Sequence, residues 1–496
     1  MDKLFRSIVQ KFQVTKVKEN IFINITFFLV ILFGFISRLP ALDKSLNEFF
    51  SFRQAQTAWG AKALLLFDSS GFVTQTPVFG PPFKVPYEFP IYQWIHFILI
   101  KFSNLEVDLA GRLLSLLIFQ ILAIQIYFLT KSVLDRKTAI WAIIIFELTP
   151  FGFQWSTAVL IDYFSILLAI VGINTFLRSK HTFVNILAIF ILTLSALVKI
   201  TTFITCVPLV IYLFLHKYKK SHKQYPILVG LVFVPIFIGN LWTNYADTIK
   251  SQSQETAWLT SENLFTWNFG TLSARIDPNV WIKILNILDS LTLGFKGSFI
   301  LVFSLVCYLF TKEKLKSNRI NFVMALIISS IIGPLVFINL YYVHDYYFIP
   351  LSVFLSIVIP VLFSEILKIG TRIVNFGLIS FFLFLVVFTM WISPLGVNYF
   401  NNLRTKPSIP ERSISISKYT TQEDLVILIN CNSWDPTILY YANRRGLIVL
   451  DNGSTPRNVT DYNAILKCDE TPWTEWNWIN LNQWLEVQND LLIRKN

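Results

Sequence analysis

Six side chains in this sequence are placed to do chemistry together: Arg53, Glu88, Asp162, Lys199, His344 and Asp345. Asp162 lies near the end of an apolar run, in WSTAVLIDYFSILLA. Lys199 closes another, in SALVKITTF, and His344 and Asp345 stand in NLYYVHDYYFIPL, where a span re-enters. Ionisable groups at membrane depth are costly and are kept for function or for pairing. Carboxylates offer a general base or metal ligands. Arginine and lysine offer a clamp for phosphate. Each residue also has a plain structural reading. Lys199 can snorkel to the interface. His344 and Asp345 can bond to each other. Asp162 can cap its helix or pair with Lys199, and Arg53 can belong to the polar face of an amphipathic helix. Their shared side of the membrane sets them apart as a group.

The elements that position them are mostly apolar. The chain has 496 residues, of which 54% are hydrophobic, and its mean hydropathy is +0.56. Runs such as 21–36, 139–146, 183–198, 320–340 and 379–391 span the ~30 Å hydrocarbon core, singly or with their neighbours. The fold class is therefore an all-α polytopic membrane protein, because spans in lipid must close their own hydrogen bonds. The basic stretch 1–20 lacks a small-residue cleavage site, so the first span is expected to be retained. One loop after it, from Arg38 to Phe89, is too polar to cross and too rich in aromatics, Pro and Gly for a tether. It carries Asp43, Glu48, Asp68 and Glu88, and a run from Phe52 to Phe67 that reads as an amphipathic helix.

A net charge of +12 would suggest nucleic acid in a soluble protein. Here the Lys and Arg residues sit in short loops between spans, which is the positive-inside pattern and excludes that partner. The N-terminus and the loops at 131–137, 178–181, 216–223, 312–319 and 368–372 are thus expected in the cytoplasm. They share one side only with eleven crossings: 21–37, 110–130, 138–154, 157–176, 182–198, 200–215, 225–244, 296–311, 320–341, 346–364 and 371–392. The apolar stretch Pro90–Phe102 is then an interfacial helix. The expected plan is a membrane domain over 21–392, with outer loops 38–109 and 245–295, followed by an exported domain over 393–496. Trp258, Trp267 and Trp281 in the second loop read as interfacial belt residues, with sugar stacking as the alternative.

The last hundred residues have a different texture. DLVILIN (424–430) and LIVL (447–450) read as buried strands, and TILYYANRRG (437–446) as a helix stopped by Gly, which suggests a small α/β domain. The chain lacks a P-loop, a dinucleotide-type glycine pattern, HExxH and paired CxxC. Cys206 and Cys307 lie in spans and read as packing residues. Cys431 and Cys468 lie in the exported domain and are able to pair in an oxidising compartment.

The order of these pieces resembles the GT-C fold glycosyltransferases, in the branch of the protein O-mannosyltransferases and the aminoarabinose transferase of lipid A. The first span ends in RLP, AGRLLSLL opens a span at Arg112, and a YY-x-x-P span start follows. VPYEFPIYQW resembles the branch's Glu-x-Pro-Pro-Leu-x-Tyr-Trp stretch and puts Glu88 on its acidic position. IDYFSILLA puts Asp162 on its span-start Asp, and ALVKITTF puts Lys199 on its Lys. FRQAQTAWGAKALL aligns with its Asp-Glu-x-x-Tyr-Ala-x-x-Ala helix, but carries Arg53-Gln54 where the branch has Asp-Glu. A sister pattern keeps an Asp four places in, where this chain has Gln56.

The resemblance implies a polyprenyl-phosphate-linked sugar donor, a glycan, lipid or protein acceptor, and transfer at the outer face of the cell membrane. Lys199 and Arg53 are the cations expected to stabilise the leaving phosphate. With the usual acid replaced, the base is Glu48, Glu88 or Asp162, or the chain is not catalytic. Glu48 (before Phe49 and Phe50) and Glu88 (between Tyr87 and Phe89) have the apolar flanks that suit a base, with Asp162 in support. Asp43, Gln56, His344, Asp345 and Tyr346 are the candidate substrate contacts. The cofactor alternatives are none or a divalent metal ion, for which Glu88, His344 and Asp345 could make a ligand set. The other functional classes are a lipid-linked-sugar flippase and a non-catalytic envelope-assembly protein.

Overall fold

The computed structural model describes residues 20–67, 71–218, 222–292, 317–367, 394–405, 408–450, 456 and 458–495. The helices begin with α1 (20–36), α2 (Ser51–Leu66), α3 (Ile91–Ser103), α4 (Val107–Val133), α5 (Arg136–Leu148), α6 (Pro150–Trp155) and α7 (Asp162–Arg178). They continue as α8 (Thr182–Val198), α9 (Ile200–Tyr218), α10 (Tyr225–Lys250), α11 (Gln254–Ala257), α12 (Phe265–Phe269), α13 (Leu272–Ile276) and α14 (Pro278–Thr292). After these come α15 (Ser317–Val336), α16 (Ile338–Val343), α17 (Ile349–Leu367), α18 (Pro394–Arg404), α19 (Glu411–Tyr419) and α20 (Thr437–Ala442). Six stretches among the described residues are long and apolar enough to cross a membrane: Asn20–Ala41, Val107–Val133, Ile200–Tyr218, His222–Lys250, Arg319–Val336 and Asp345–Ser364. The expected spans 296–311 and 371–392, the basic run 368–372, Asp68 and Cys307 lie outside the described residues.

Several expected elements are shifted or broken, each for a local reason. The stretch 138–154 splits at Thr149, whose hydroxyl accepts from the Gly152 N–H while Pro150 opens a new helix. The next helix starts at Asp162 rather than 157. The approach to it is held instead by Gln54, which accepts from the Val159 N–H at 3.0 Å. The span 320–341 ends at Val336, and α16 follows as a separate turn. The α3 helix has 13 residues, about 20 Å at 1.5 Å per residue, short of the bilayer core. The α2 helix is not amphipathic: Gln54 to Ala61 are all buried. Its Ala and Gly residues let α3, α4 and α20 pack around it.

Charges mark the two ends of the bundle. At one end, Arg136 donates to Asn20 at 2.8 Å and Arg319 pairs with Asp135 at 2.8 Å. Lys217, at the end of α9, donates to the Ser179 carbonyl at 2.5 Å. The starts of α1, α5 and α15 and the α7–α8 turn therefore share that end. Asp162 and Lys199 stand at the opposite end.

The C-terminal unit is a five-stranded sheet in the order β2-β1-β3-β5-β4. Its strands are β1 (Leu425–Ile429), β2 (Arg445–Val449), β3 (Ala464–Lys467), β4 (Trp484–Gln488) and β5 (Leu491–Arg494). β1 pairs in parallel with β2 and β3, and its LVILI sequence suits a central strand buried on both faces. β5 closes antiparallel on β3 and β4. Cys431 and Cys468, which follow β1 and β3, form a disulfide. The helix before β2 stops at Asn443 in the left-handed region (φ 56°), not at Gly446. Gly446 already lies in β2, so the expected helix was too long.

This unit and the first loop are built into each other. The Gly446 and Ile448 N–H groups donate to the Pro77 and Val78 carbonyls at 2.7 and 3.0 Å, so the loop lines the free edge of β2. The Tyr440 and Tyr441 hydroxyls both donate to Asp108 at the start of α4. Lys62 of α2 donates to the Tyr440 carbonyl at 2.7 Å and sits 4.0 Å over its ring. Only a glycine fits at 446, because a Cβ there meets the Val426 carbonyl oxygen at 1.8 Å. We expect Gly446→Ala to cost ~1–3 kcal/mol by overpacking. Thermal unfolding of the purified protein in detergent checks this, and an unchanged melting temperature would contradict the β1–β2 register.

Candidate active site

The apolar bundle supplies few polar partners, so charges at its end must find one another. Helix ends and the loops between them surround a cavity of about 380 Å³ there. Arg53, Glu88, Lys199, His344 and Tyr346 line it, and Asp162 stands behind Lys199.

Lys199 owes its place to a break in the helix ladder. It is extended between α8 and α9, which frees its side chain to reach across the bundle. Its Nζ meets Asp162 Oδ1 at 2.5 Å and lies 3.8 Å from the centre of the Tyr347 ring. Asp162 is the first residue of α7, where the helix dipole favours a negative charge. It is 1% exposed, and its Oδ2 has no hydrogen-bond partner among the described residues.

Arg53 occupies the first turn of α2. Its Nη1 donates to Gln56 Oε1 at 2.6 Å, and its Nη2 stands 3.5 Å from Glu88 Oε2. Burial pulls the Arg53 pKa down, but Glu88, Tyr346, Tyr347 and Asp162 outweigh it and hold the guanidinium above its ordinary value. Glu88 Oε1 accepts from Gln93 Nε2 at 2.7 Å. That contact depends on Gly60, since a Cβ at 60 meets Gln93 Cγ at 2.6 Å and forces α2 from α3. Arg53, standing where the family pattern has an acid, is thus answered by Glu88.

An aromatic wall closes one side. Phe50 heads α2 in the left-handed region (φ 52°), a conformation that costs ~1–2 kcal/mol outside glycine. Trp155, Tyr346 and His344 surround its ring at 5.6, 5.5 and 5.9 Å. His344 stacks on Tyr346 at 5.1 Å. Burial, with Lys199, Arg53 and Lys283 nearby, pushes the His344 pKa down to about 4.

The remaining candidates lie elsewhere. Glu48 does not reach the cavity. It pairs with Arg112 at 2.5 Å, whose other hydrogens go to the carbonyls of Lys44, Ser45 and Thr157. Asp43 is exposed in the loop, and Gln56 orients Arg53. Asp345 is half-buried beside His344 but does not line the cavity, and its Oδ1 has no hydrogen-bond partner among the described residues. No three His, Cys, Asp or Glu side chains among the described residues could hold a metal ion. Among the described residues, Glu88 and His344 thus have no third such side chain grouped with them.

Sequence reasoning missed part of the lining. Trp434 reaches the cavity from the C-terminal unit and packs on Phe52 at 5.2 Å. Its only signal was an aromatic just after a buried strand, in the WDPTILYYANRRG stretch. Trp258 and Trp267 line the cavity, whereas Trp281 donates to the Arg275 carbonyl at 2.8 Å. Lys250, Trp242 and Tyr347 complete the wall.

Two stability tests follow. His344 has a folded pKa of about 4 against an ordinary 6.5. Between those values the unfolded chain binds more protons, so His344 makes stability fall as pH drops from 6.5 to 4. His344→Gln should shrink the loss in melting temperature between pH 7 and pH 5, and identical losses in both proteins would remove this role. Lys199→Met leaves a buried Asp162 unpaired, which typically costs ~3–5 kcal/mol. Adding Asp162→Asn should restore part of that. Equal melting of the single and double variants would show that the pair is not coupled.

Comparisons with known proteins bear on the fold. Residues 84–242 match the family described as dolichyl-phosphate-mannose-protein mannosyltransferase. No curated protein sequence matches significantly. The fold is similar to crystal structures and a microscopy structure of membrane transferases. ArnT from Cupriavidus metallidurans, bound to undecaprenyl phosphate, is 10% identical with a TM-score of 0.56, over 86% of this chain and 85% of that one. The oligosaccharyltransferase AglB from Archaeoglobus fulgidus, with an inhibitory peptide and a dolichol-phosphate, is 11% identical with a TM-score of 0.56, over 90% of this chain and 69% of that one. The arabinofuranosyltransferase AftD from Mycobacteria is 11% identical with a TM-score of 0.50, over 90% of this chain and 35% of that one. The chain is a membrane protein of the GT-C fold, similar in fold to ArnT.

Proposed function

We propose that this protein is a glycosyltransferase that moves a sugar from a polyprenyl-phosphate donor to an acceptor hydroxyl. The observation that carries the reading is the pairing of two cations with two carboxylates around one cavity: Arg53 with Glu88, and Lys199 with Asp162. ArnT and AglB, which share the fold, hold polyprenyl-type phosphates. The family matched over 84–242 includes Glu88, Asp162 and Lys199.

In this reading the donor phosphate lies between Arg53 and Lys199. Glu88, the carboxylate on the cavity wall, takes the proton of the acceptor hydroxyl. The acceptor oxygen bonds to the anomeric carbon as the bond from that carbon to the phosphate oxygen breaks. Polyprenyl phosphate leaves with the electron pair, and Arg53 and Lys199 stabilise its growing charge. Asp162 positions Lys199. The cavity faces away from the cytoplasm of the cell membrane, because Arg136, Arg319 and Lys217 mark the other end of the bundle.

Three measurements test the reading. Glu88→Gln should lower transfer ~10²–10⁴-fold while undecaprenyl-phosphate binding persists. Near-normal turnover would move the base elsewhere. Arg53→Lys should weaken undecaprenyl-phosphate binding, because a lysine cannot reproduce a guanidinium's planar fork. Unchanged affinity would remove Arg53 from the clamp. A reporter active only outside the cytoplasm, fused after Asn496, should be active. Activity of a cytoplasm-only reporter there would invert the assigned face.

A further inference from the structure

The larger cavity of the molecule is not the one described above. A cleft of about 840 Å³ opens in the C-terminal unit, against the first loop. Small-molecule sites commonly span ~300–1,000 Å³. Its floor is the carboxyl end of the parallel strands, where Asn430 to Asn432 follow β1 and Cys468 follows β3. The chain leaves β1 for β2 on one side and returns to β3 on the other. Open α/β sheets bind ligands at such a reversal of strand order, because the two connections diverge and leave a crevice. The Cys431–Cys468 disulfide ties the two strand ends together at that crevice.

The lining has a definite chemistry. Asn432, Asp435, Gln488 and Asp490 bring planar polar groups, and apolar side chains are few. Such groups suit the paired donors and acceptors of neighbouring hydroxyls. Glu411, Asp435 and Asp490 face a single Arg412, whose Nε is 3.8 Å from Asp490. The cleft is therefore acidic in a chain of net charge +12, which disfavours an anionic ligand.

The cleft and the donor cavity share a wall. Ser51 lines the cleft and Arg53 lines the cavity. Phe52 between them packs on Trp434, which comes from the loop that also supplies Asn432 and Asp435. Ser51 and Arg53 stand two residues apart in the first turn of α2 and so point to opposite faces of it, which makes the start of α2 the wall between the cleft and the donor cavity.

We propose that this cleft binds the acceptor, and that the acceptor is a neutral, hydroxyl-rich glycan. The inference rests on the glycosyl-transfer reading and narrows its acceptor to one class. The test uses purified full-length protein in detergent on an array of neutral, phosphorylated and uronate-bearing oligosaccharides and of peptides. Neutral oligosaccharides should bind. The Asn432→Ala/Gln488→Ala variant should bind them about tenfold more weakly, the loss of roughly one to two hydrogen bonds. Its binding of undecaprenyl phosphate should be unchanged, which also shows that it is folded. Neutral-glycan binding untouched by the double substitution would overturn the proposal. So would a preference for phosphorylated glycans, uronates or peptides, or no binding at all. The transfer reading fails separately, through absent undecaprenyl-phosphate binding, and glycan capture in the cleft is scored independently of that result.

Discussion

A charge buried at the end of an apolar bundle must be paired, and the pairs in this protein differ in how completely they are closed. Arg38 and Glu147 are fully buried, 3.0 Å apart. Arg38 also donates to Ser156 and to the Gly34 and Glu147 carbonyls, and lies between the Phe119 and Phe153 rings. Arg112 is equally enclosed by Glu48 and three carbonyls. Such pairs hold the loop and α1 against the bundle, and breaking either leaves an uncompensated charge. The Arg53–Glu88 pair at the cavity is looser by contrast: its 3.5 Å is at the limit of a hydrogen bond. A loose pair is rearranged by a ligand more readily than a closed one.

That distinction explains what the sequence could and could not reveal. Lys199, Asp162 and Glu88 stood out because each interrupts or flanks an apolar run, and the cost of such a residue is legible from composition alone. Glu48 had the same aromatic neighbours as Glu88. Nothing in its local sequence shows that Arg112, 64 residues away, claims it. The same blindness applied to α2. Its period suggested a helix lying on a surface, but α3, α4 and α20 bury it on every side. The helix breaks at Thr149 and before Asp162 were hidden for a different reason. Hydropathy averages over a window longer than the capping signals that set them.

The C-terminal unit is another case of contacts invisible along the chain. Two of its five strands were readable, from DLVILIN and LIVL, but their role depends on partners from the first loop. The 77–80 segment covers the β2 edge, Asp108 collects two tyrosine hydroxyls, and Trp434 enters the cavity. A loop of mixed polarity is thereby held between a membrane bundle and a sheet. Its ordered backbone places Arg53 and Glu88 as firmly as residues on a span.

The replacement of an acid by Arg53 then makes physical sense within this arrangement. Glu88 and Asp162 are paired to Arg53 and Lys199, and Lys250, which also lines the cavity, is paired to Asp247, so each cation there has its carboxylate. A low-dielectric site tolerates that balance better than an excess of either sign. In the reading proposed above, an arriving phosphate would compete with Glu88 for Arg53, whose guanidinium has further donors to offer. As the phosphate drew Arg53 toward itself, Glu88 would keep Gln93 but lose its cation. The proposed base would then be left with a free oxygen. Donor binding and preparation of the base would become one event, because both would depend on the same arginine.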